Sequence, residues 1–249
     1  MQKGLMIGYV VTLHLLLLVL VVKTDIIPRI GFRLGLIKDI EPELSEYYET
    51  MVKFHERMDV NIPKGAAIFV GDSFTQGLCV TAVANPSVNF GIGGDTTLGV
   101  LKRLPKYRSL ERARICILTI GSNDLRRRGN EEILKNYSAI ISALPGNLTC
   151  LFTAVLPVDE GVRRDLAGRN KRVRELNGDL RKLCEAQGSR CFFIDPTARF
   201  ADSSGNLRKA YHEDDGVHLN EVGYSLFIEE LRGMVEKIEG TSQAGAAMP

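Results

Sequence analysis

The sequence predicts an α/β fold in which a parallel sheet is covered on both faces by helices. Three observations carry this reading. Short apolar runs rich in β-branched residues alternate with longer segments of helical periodicity. They recur at a rhythm suited to right-handed βαβ units. Polar clusters of Gly, Ser, Asp and Asn follow three of the runs directly. A chain of 249 residues suits one domain of ordinary size plus an appendage. Its 45% hydrophobic and 25% charged content belong to a folded globular protein, and a net charge of +2 makes no case for nucleic acid.

The appendage comes first. Residues 5–22 are apolar, aromatic or small apart from Thr12 and His14, and 15–22 are an unbroken Leu/Val run. A membrane-spanning helix needs about 20 such residues and tolerates roughly 17. No small-x-small cleavage site follows Val22, and a core helix so uniformly apolar does not suit a domain of this size. The expectation is an uncleaved anchor over residues 1–24, with a signal peptide as the alternative. Residues 25–62 read as a juxtamembrane segment and an amphipathic helix. Within it, 26–37 mix Ile, Phe and Leu with Arg29 and Arg33, which suits an interfacial stretch or a plain linker. Leu44, Tyr47, Tyr48, Met51, Val52 and Phe54 then repeat at spacings of three and four through 40–58, with Pro42 near the start.

The α/β domain is expected over residues 63–240. Residues 61–65 are a turn, and 66–70 are a buried strand broken by Gly71. Asp72 and Ser73 then suit a helix start, and a short helix is predicted over 75–83, closed by Asn85-Pro86. A second strand, 87–91, runs into a glycine-rich turn and a helix whose apolar face is Leu98, Leu101 and Leu104. The strand at 114–120 ends in Gly121-Ser122-Asn123-Asp124. A helix over 131–144, a strand over 149–156, a long basic helix over 164–185 and a strand over 191–196 follow. The last helix is predicted at 220–238, and the small residues of 241–249 are expected to be a disordered tail. This makes five strands in all.

The five cysteines form no C-x-x-C pair. Cys116 and Cys150 lie inside apolar runs and suit buried thiols, whereas Cys184 and Cys191 can pair in an oxidising compartment. No cluster has zinc or calcium spacing, so no metal and no cofactor are expected.

In a parallel sheet all strand carboxyl ends lie on one edge. The clusters Gly71-Asp72-Ser73, Gly93-Gly94-Asp95 and Gly121-Ser122-Asn123-Asp124 should therefore meet. A serine nucleophile needs a base to take its proton and an acid to orient that base. Of the four histidines, His14 is in the expected anchor and His55 in the first helix, which leaves His212 and His218.

These blocks resemble the SGNH/GDSL hydrolases. Gly71-Asp72-Ser73-Phe74 is similar to the first block of that family, whose fourth residue is usually leucine. Asn89 to Asp95 is similar to the second block, Gly121-Ser122-Asn123-Asp124 to the third, and Asp215-Gly216-Val217-His218 to the D-x-x-H block. The order agrees, and the resemblance runs from Ile68 to about Leu231, closest to the branch of platelet-activating-factor acetylhydrolase-like proteins. It implies a three-layer α/β/α, flavodoxin-like fold with a five-stranded parallel sheet. It also implies a serine esterase with Ser73 as nucleophile, His218 as base and Asp215 as orienter. The oxyanion hole would comprise the N–H groups of Ser73 and Gly94 and the amide of Asn123. Asp214 is an alternative partner for His218, and His212 reads as a loop residue. Asp72, Asp95 and Asp124 suit loop hydrogen bonds.

The implied substrate is a lipid ester, lysophospholipid or O-acetylated sugar. A catalytically silent binding module and an acyltransferase with the same residues are the alternatives. Arg163, Arg164, Arg169, Lys171, Arg172, Arg174, Arg181 and Lys182 read as a solvated helix face. Arg126-Arg127-Arg128, just after Asn123, are candidates for a phosphate or carboxylate on the substrate. Sidedness is divided. Lys23, Arg29, Arg33 and Lys38 after the span point to a cytoplasmic domain, while the resemblance and a Cys184–Cys191 pair point outward, which is the reading adopted. The oligomeric state is not legible.

Overall fold

The computed structural model describes residues 2–23 and 45–246, in two units that divide the chain at 41/42. The first unit contains helix α1 (Gln2–Lys23). Among the described residues no helix is long and apolar enough to cross a membrane, so they do not show the expected anchor; side chains 5, 7 and 18–22 of the apolar run lie outside the described residues. The interfacial segment expected at 26–37 also lies outside them.

The second unit begins with α2 (Glu46–Asp59), capped by the Ser45 side chain, which accepts from the Tyr48 N–H. This is the amphipathic helix expected over 40–58, and it packs on the α/β unit. Tyr48 donates to the Gly99 carbonyl at 2.6 Å, and Asp59 accepts from the Ser109 N–H. Of its apolar stripe, Tyr48 and Val52 are buried and Met51 is half-buried, whereas Tyr47 and Phe54 stay exposed.

The sheet strands are β1 (Ala67–Gly71), β2 (Ser87–Gly91), β3 (Ile115–Thr119), β4 (Thr149–Thr153) and β5 (Cys191–Ile194). They form one five-stranded sheet in the order β2-β1-β3-β4-β5, all neighbours parallel. The expected three-layer architecture is present. Ile68 and Val70 of β1 and Cys116 and Leu118 of β3 enter one apolar cluster, while Ala67, Phe69, Ile115 and Ile117 enter the other. That alternation is the two-residue period of a strand buried on both faces. The first cluster is closed by α4 (Thr97–Arg103), α5 (Asn130–Ala143) and α6 (Arg169–Glu185). The second is closed by α8 (Glu221–Ala246) and by the one-turn helices α3 (Ser73–Gln76) and α7 (Thr197–Phe200).

Three elements differ from expectation. The helix after Ser73 stops at Gln76, because the Asn89 amide takes the Thr75 and Leu78 carbonyls at 2.7 and 3.0 Å in place of a further helical turn. The basic helix divides at Gly168, whose φ of 75° breaks the run, so α6 starts at Arg169. The tail expected to be disordered from 241 is helical to Ala246, with the Thr241 hydroxyl donating back to the Lys237 carbonyl at 3.1 Å; residues 247–249 lie outside the described set. Cys184 and Cys191 form a disulfide joining the end of α6 to β5, and Cys116 and Cys150 are buried free thiols.

One buried cation ties the strand ends together. Arg103, fully buried on α4, donates to Asp95 Oδ2 at 2.9 Å, the Phe90 carbonyl at 2.8 Å, the Tyr107 hydroxyl at 3.0 Å and the Gly71 carbonyl at 3.0 Å. Removing one partner of a buried pair leaves the other charge unpaired, at a cost of about 3–5 kcal/mol. Arg103→Met is therefore expected to lower unfolding free energy by about that amount in urea titration. Adding Asp95→Asn, which removes the orphaned charge, should recover part of the loss; no recovery would place the cost elsewhere.

Candidate active site

The register brings β1, β2 and β3 to a common end, with Gly71 opposite both Gly91 and Thr119. The three polar clusters therefore meet, as their spacing predicted. Asn123 Nδ2 donates to the Asp95 carbonyl at 3.0 Å, and Thr97 gives its N–H and hydroxyl to Asp124 at 2.9 and 2.6 Å. A side chain at Gly91 would fall 2.2 Å from the Gln76 backbone nitrogen, so only glycine lets β2 close against the turn that carries Ser73. Gly94 sits at φ 80°, a conformation that other residues rarely adopt.

Ser73 heads α3, so its N–H has no carbonyl four residues back within the helix. Asp72 is the cap: its Oδ1 accepts from the Phe74 N–H at 3.0 Å. Gln76 holds the neighbouring loop, accepting from the Gly93 N–H at 2.6 Å. The Asn123 amide, anchored by one donor to the Asp95 carbonyl, retains a second N–H.

His218 approaches from the loop before α8. Its Nε2 is 3.0 Å from Ser73 Oγ, and its Nδ1 is 2.5 Å from Asp215 Oδ2. A carboxylate only accepts, so Nδ1 carries the proton and neutral Nε2 is left to accept from the serine hydroxyl. Asp215 Oδ1 also accepts from the backbone N–H groups of Val217 and His218, at 2.8 and 2.9 Å. Partial burial would raise its pKa, but the hydrogen bonds from His218 and those two N–H groups outweigh it, and the carboxyl is held below its ordinary range. The other candidates lie elsewhere. His212 is buried and braces the loop, with Nδ1 against the Glu213 carbonyl and Nε2 3.3 Å from Asp159. Among the described residues no group of three or more His, Cys, Asp or Glu side chains is placed to hold a metal ion.

Several supports were not legible in the sequence. Tyr224 on α8 reaches the Ser73 and Phe74 carbonyls at 3.3 and 3.2 Å, and Phe74 packs near the His218 ring, with centroids 6.2 Å apart. Arg103 is the other. Its only signal was a cation among the leucines of a helix that follows Asp95. The basic face was misread in part, because Arg169 is buried rather than solvated. Of the three consecutive arginines, Arg128 is buried 3.2 Å from Glu132 and 3.6 Å from Asp124.

Asp72 is fully buried, and its Oδ2 has no hydrogen-bond partner. Burial pushes its pKa up to about 8; the Phe74 N–H opposes this and the Asp95 and Asp124 carboxylates add to it. A carboxyl with a raised folded pKa gives stability that is fully present below its unfolded value and is lost as pH rises through the folded one. His55, lowered to about 3 by burial and by Arg103, acts in the opposite sense, but only below the unfolded histidine value of about 6.5. Between about pH 6.5 and 8 the melting temperature should therefore fall with pH. Asp72→Asn, which keeps the cap, should flatten that slope in a buffer series of thermal melts. An unaltered slope would show that Asp72 is ionised in the native state.

The profile of the GDSL-like Lipase/Acylhydrolase family matches residues 69–226. Platelet-activating factor acetylhydrolase IB subunit alpha1 of Bos taurus is 27% identical over 197 residues, covering 73% of this chain and 81% of the relative. A GDSL-like lipase of Bacteroides thetaiotaomicron superposes with a TM-score of 0.67 at 19% identity, covering 77% of this chain and 99% of that one. The C-terminal catalytic domain of peptidoglycan O-acetyltransferase A of Streptococcus pneumoniae gives 0.56 at 13% identity, covering 71% and 96%. At these identities the two structures speak for the fold alone.

Proposed function

The chain belongs to the GDSL-like lipase/acylhydrolase family and is an ester hydrolase by that membership, and from this premise we propose that it works as a serine esterase through an acyl-enzyme on Ser73. The observation that carries the reading is the continuous path from Asp215 through His218 to Ser73, with contacts of 2.5 and 3.0 Å. Ser73 Oγ attacks the ester carbonyl while His218 Nε2 takes its proton. The Asp215 carboxylate holds the imidazole tautomer and stabilises the imidazolium. The oxyanion is met by the N–H groups of Ser73 and Gly94 and the free N–H of Asn123. His218 returns the proton to the leaving alcohol, then activates water to cleave the acyl-enzyme. If a second hydroxyl replaces water, the same steps transfer the acyl group.

The relative named as an acetylhydrolase supports a short acyl group, here assigned as an acetyl or other small ester on a lipid or sugar. The anchor belongs to this proposal and rests on the apolar sequence of residues 5–22, over which α1 is helical. An extracytoplasmic domain is supported by the Cys184–Cys191 disulfide, since such bonds persist in oxidising compartments. A reporter fused after Pro249, active on only one side of the membrane, tests the sidedness.

With p-nitrophenyl acetate as substrate, Ser73→Ala and His218→Ala should each lower kcat by about 1,000-fold or more. Asn123→Ala should lower it by about 100- to 1,000-fold with little change in KM. Turnover by the Ser73→Ala protein equal to that of the unaltered chain would overturn the esterase.

A further inference from the structure

Between the turn after β3 and the start of α6 lies a cavity of about 300 Å³ lined by Arg126, Arg169 and Arg172, with Leu125, Gly168 and the single carboxylate Asp165 among its other walls. Both walls leave the carboxyl ends of neighbouring strands, and Leu125 is two residues beyond Asn123. The cavity therefore opens on the same sheet edge as the serine site.

The three arginines are held differently. Arg172 is committed to the fold: it donates to the Leu125 carbonyl at 2.7 Å, the Arg128 carbonyl at 2.6 Å and Asn130 Oδ1 at 3.0 Å. It pins the two walls together and leaves a fixed positive charge beside the cavity. Arg126 is exposed at the rim. Arg169 is only 8% exposed, and among the described residues no hydrogen bond or ion pair reaches it.

That placement is costly, although Asp165 shares the cavity wall and the guanidinium opens on the cavity. A buried guanidinium ordinarily finds acceptors for its five N–H groups. Arg169 is also the first residue of a 17-residue helix, where the positive end of the helix dipole repels a cation. Glu160 occupies that end, accepting from the Gly168 and Asn170 N–H groups at 3.0 and 2.6 Å, so the helix end already faces a carboxylate. Burial, with Arg126, Arg163 and Arg172 close by, holds the Arg169 pKa below its ordinary value. Asp165 opposes this, but its carboxylate is exposed and engaged by Arg163 at 3.3 Å. A solvated basic face would show none of these features.

We propose that this arginine pocket binds a phosphate-like oxyanion, and that it is the subsite for a phosphate group carried by the ester substrate. The substrate part rests on the esterase reading; the binding part does not. A tetrahedral oxyanion supplies the acceptors that Arg169 lacks and bridges it to Arg126, while Arg172 adds charge without changing partners.

Two measurements on the full chain test this. In thermal melts, millimolar inorganic phosphate should raise the melting temperature of the unaltered protein and have no effect on Arg169→Gln. Without phosphate that variant should melt no lower than the parent, because it removes an unpaired buried charge. In kinetics, kcat/KM for acetylglycerol phosphate relative to acetylglycerol should fall about 10- to 100-fold in Arg169→Gln, the span of one charged hydrogen bond. Arg126→Gln, an exposed position, should lower the same ratio and keeps the test valid if Arg169→Gln fails to fold. No phosphate shift in the parent protein overturns the pocket as an anion site. A shift without any preference for the phosphate ester makes it a site for free phosphate and overturns the substrate subsite. If p-nitrophenyl acetate is not hydrolysed at all, the esterase reading falls while the phosphate melts still decide the pocket.

Discussion

The site depends on a buried ion pair that does no chemistry. Arg103 gathers the carbonyl ends of β1 and β2, through Gly71 and Phe90, and the Asp95 carboxylate next to Gly94. A guanidinium can be buried only if its donors are met with good geometry, so its position is over-determined by these partners. The Asp95 carbonyl in turn fixes the Asn123 amide. Two of the three oxyanion donors proposed for the site are thereby set by a cation on the next helix. The environment around Arg103 is tuned to it: Tyr107 accepts from it and also lies 3.0 Å from His55 Nδ1, and His55 is kept neutral by burial and by the arginine. α2 therefore belongs to the support of the site, although it lies outside the sequence blocks that identify the family.

What was legible in the sequence follows the range of the interactions. The five strands were readable because each is a local run with a local break, and their parallel order followed from the helices between them. The path from Asp215 to His218 was readable for the same reason, since a D-x-x-H spacing lets a carboxylate turn back onto its own imidazole. Arg103, Tyr224 and Asn89 were not. Each acts on a backbone carbonyl distant in sequence, such as Tyr224 on Ser73, and a carbonyl leaves no trace in composition. The basic run over 163–182 shows the same limit. Its charges suggested a solvated face, but burial is set by what packs over a residue, and Arg169 lies under the turn that follows β3.

Three aspartates follow the first three strands, and the structure treats them differently. Asp95 has Arg103, and Asp124 has two donors from Thr97 with Arg128 nearby. Both can stay charged although buried. Asp72 has one backbone donor, no cation and two carboxylates for neighbours, so burial and repulsion keep it protonated near neutral pH. That asymmetry suits the position. Asp72 directly precedes the N–H of Ser73, and an ionised carboxyl there would oppose the negative charge that develops on the oxyanion. A neutral acid keeps the cap without the charge. The same electrostatic accounting applies on the far side of Asn123, where Arg169 is a buried cation lacking its counter-charge. One edge of the sheet thus holds an acid relieved of its charge beside the proposed nucleophile and a base kept charged some residues away, an arrangement in keeping with the anion pocket proposed above.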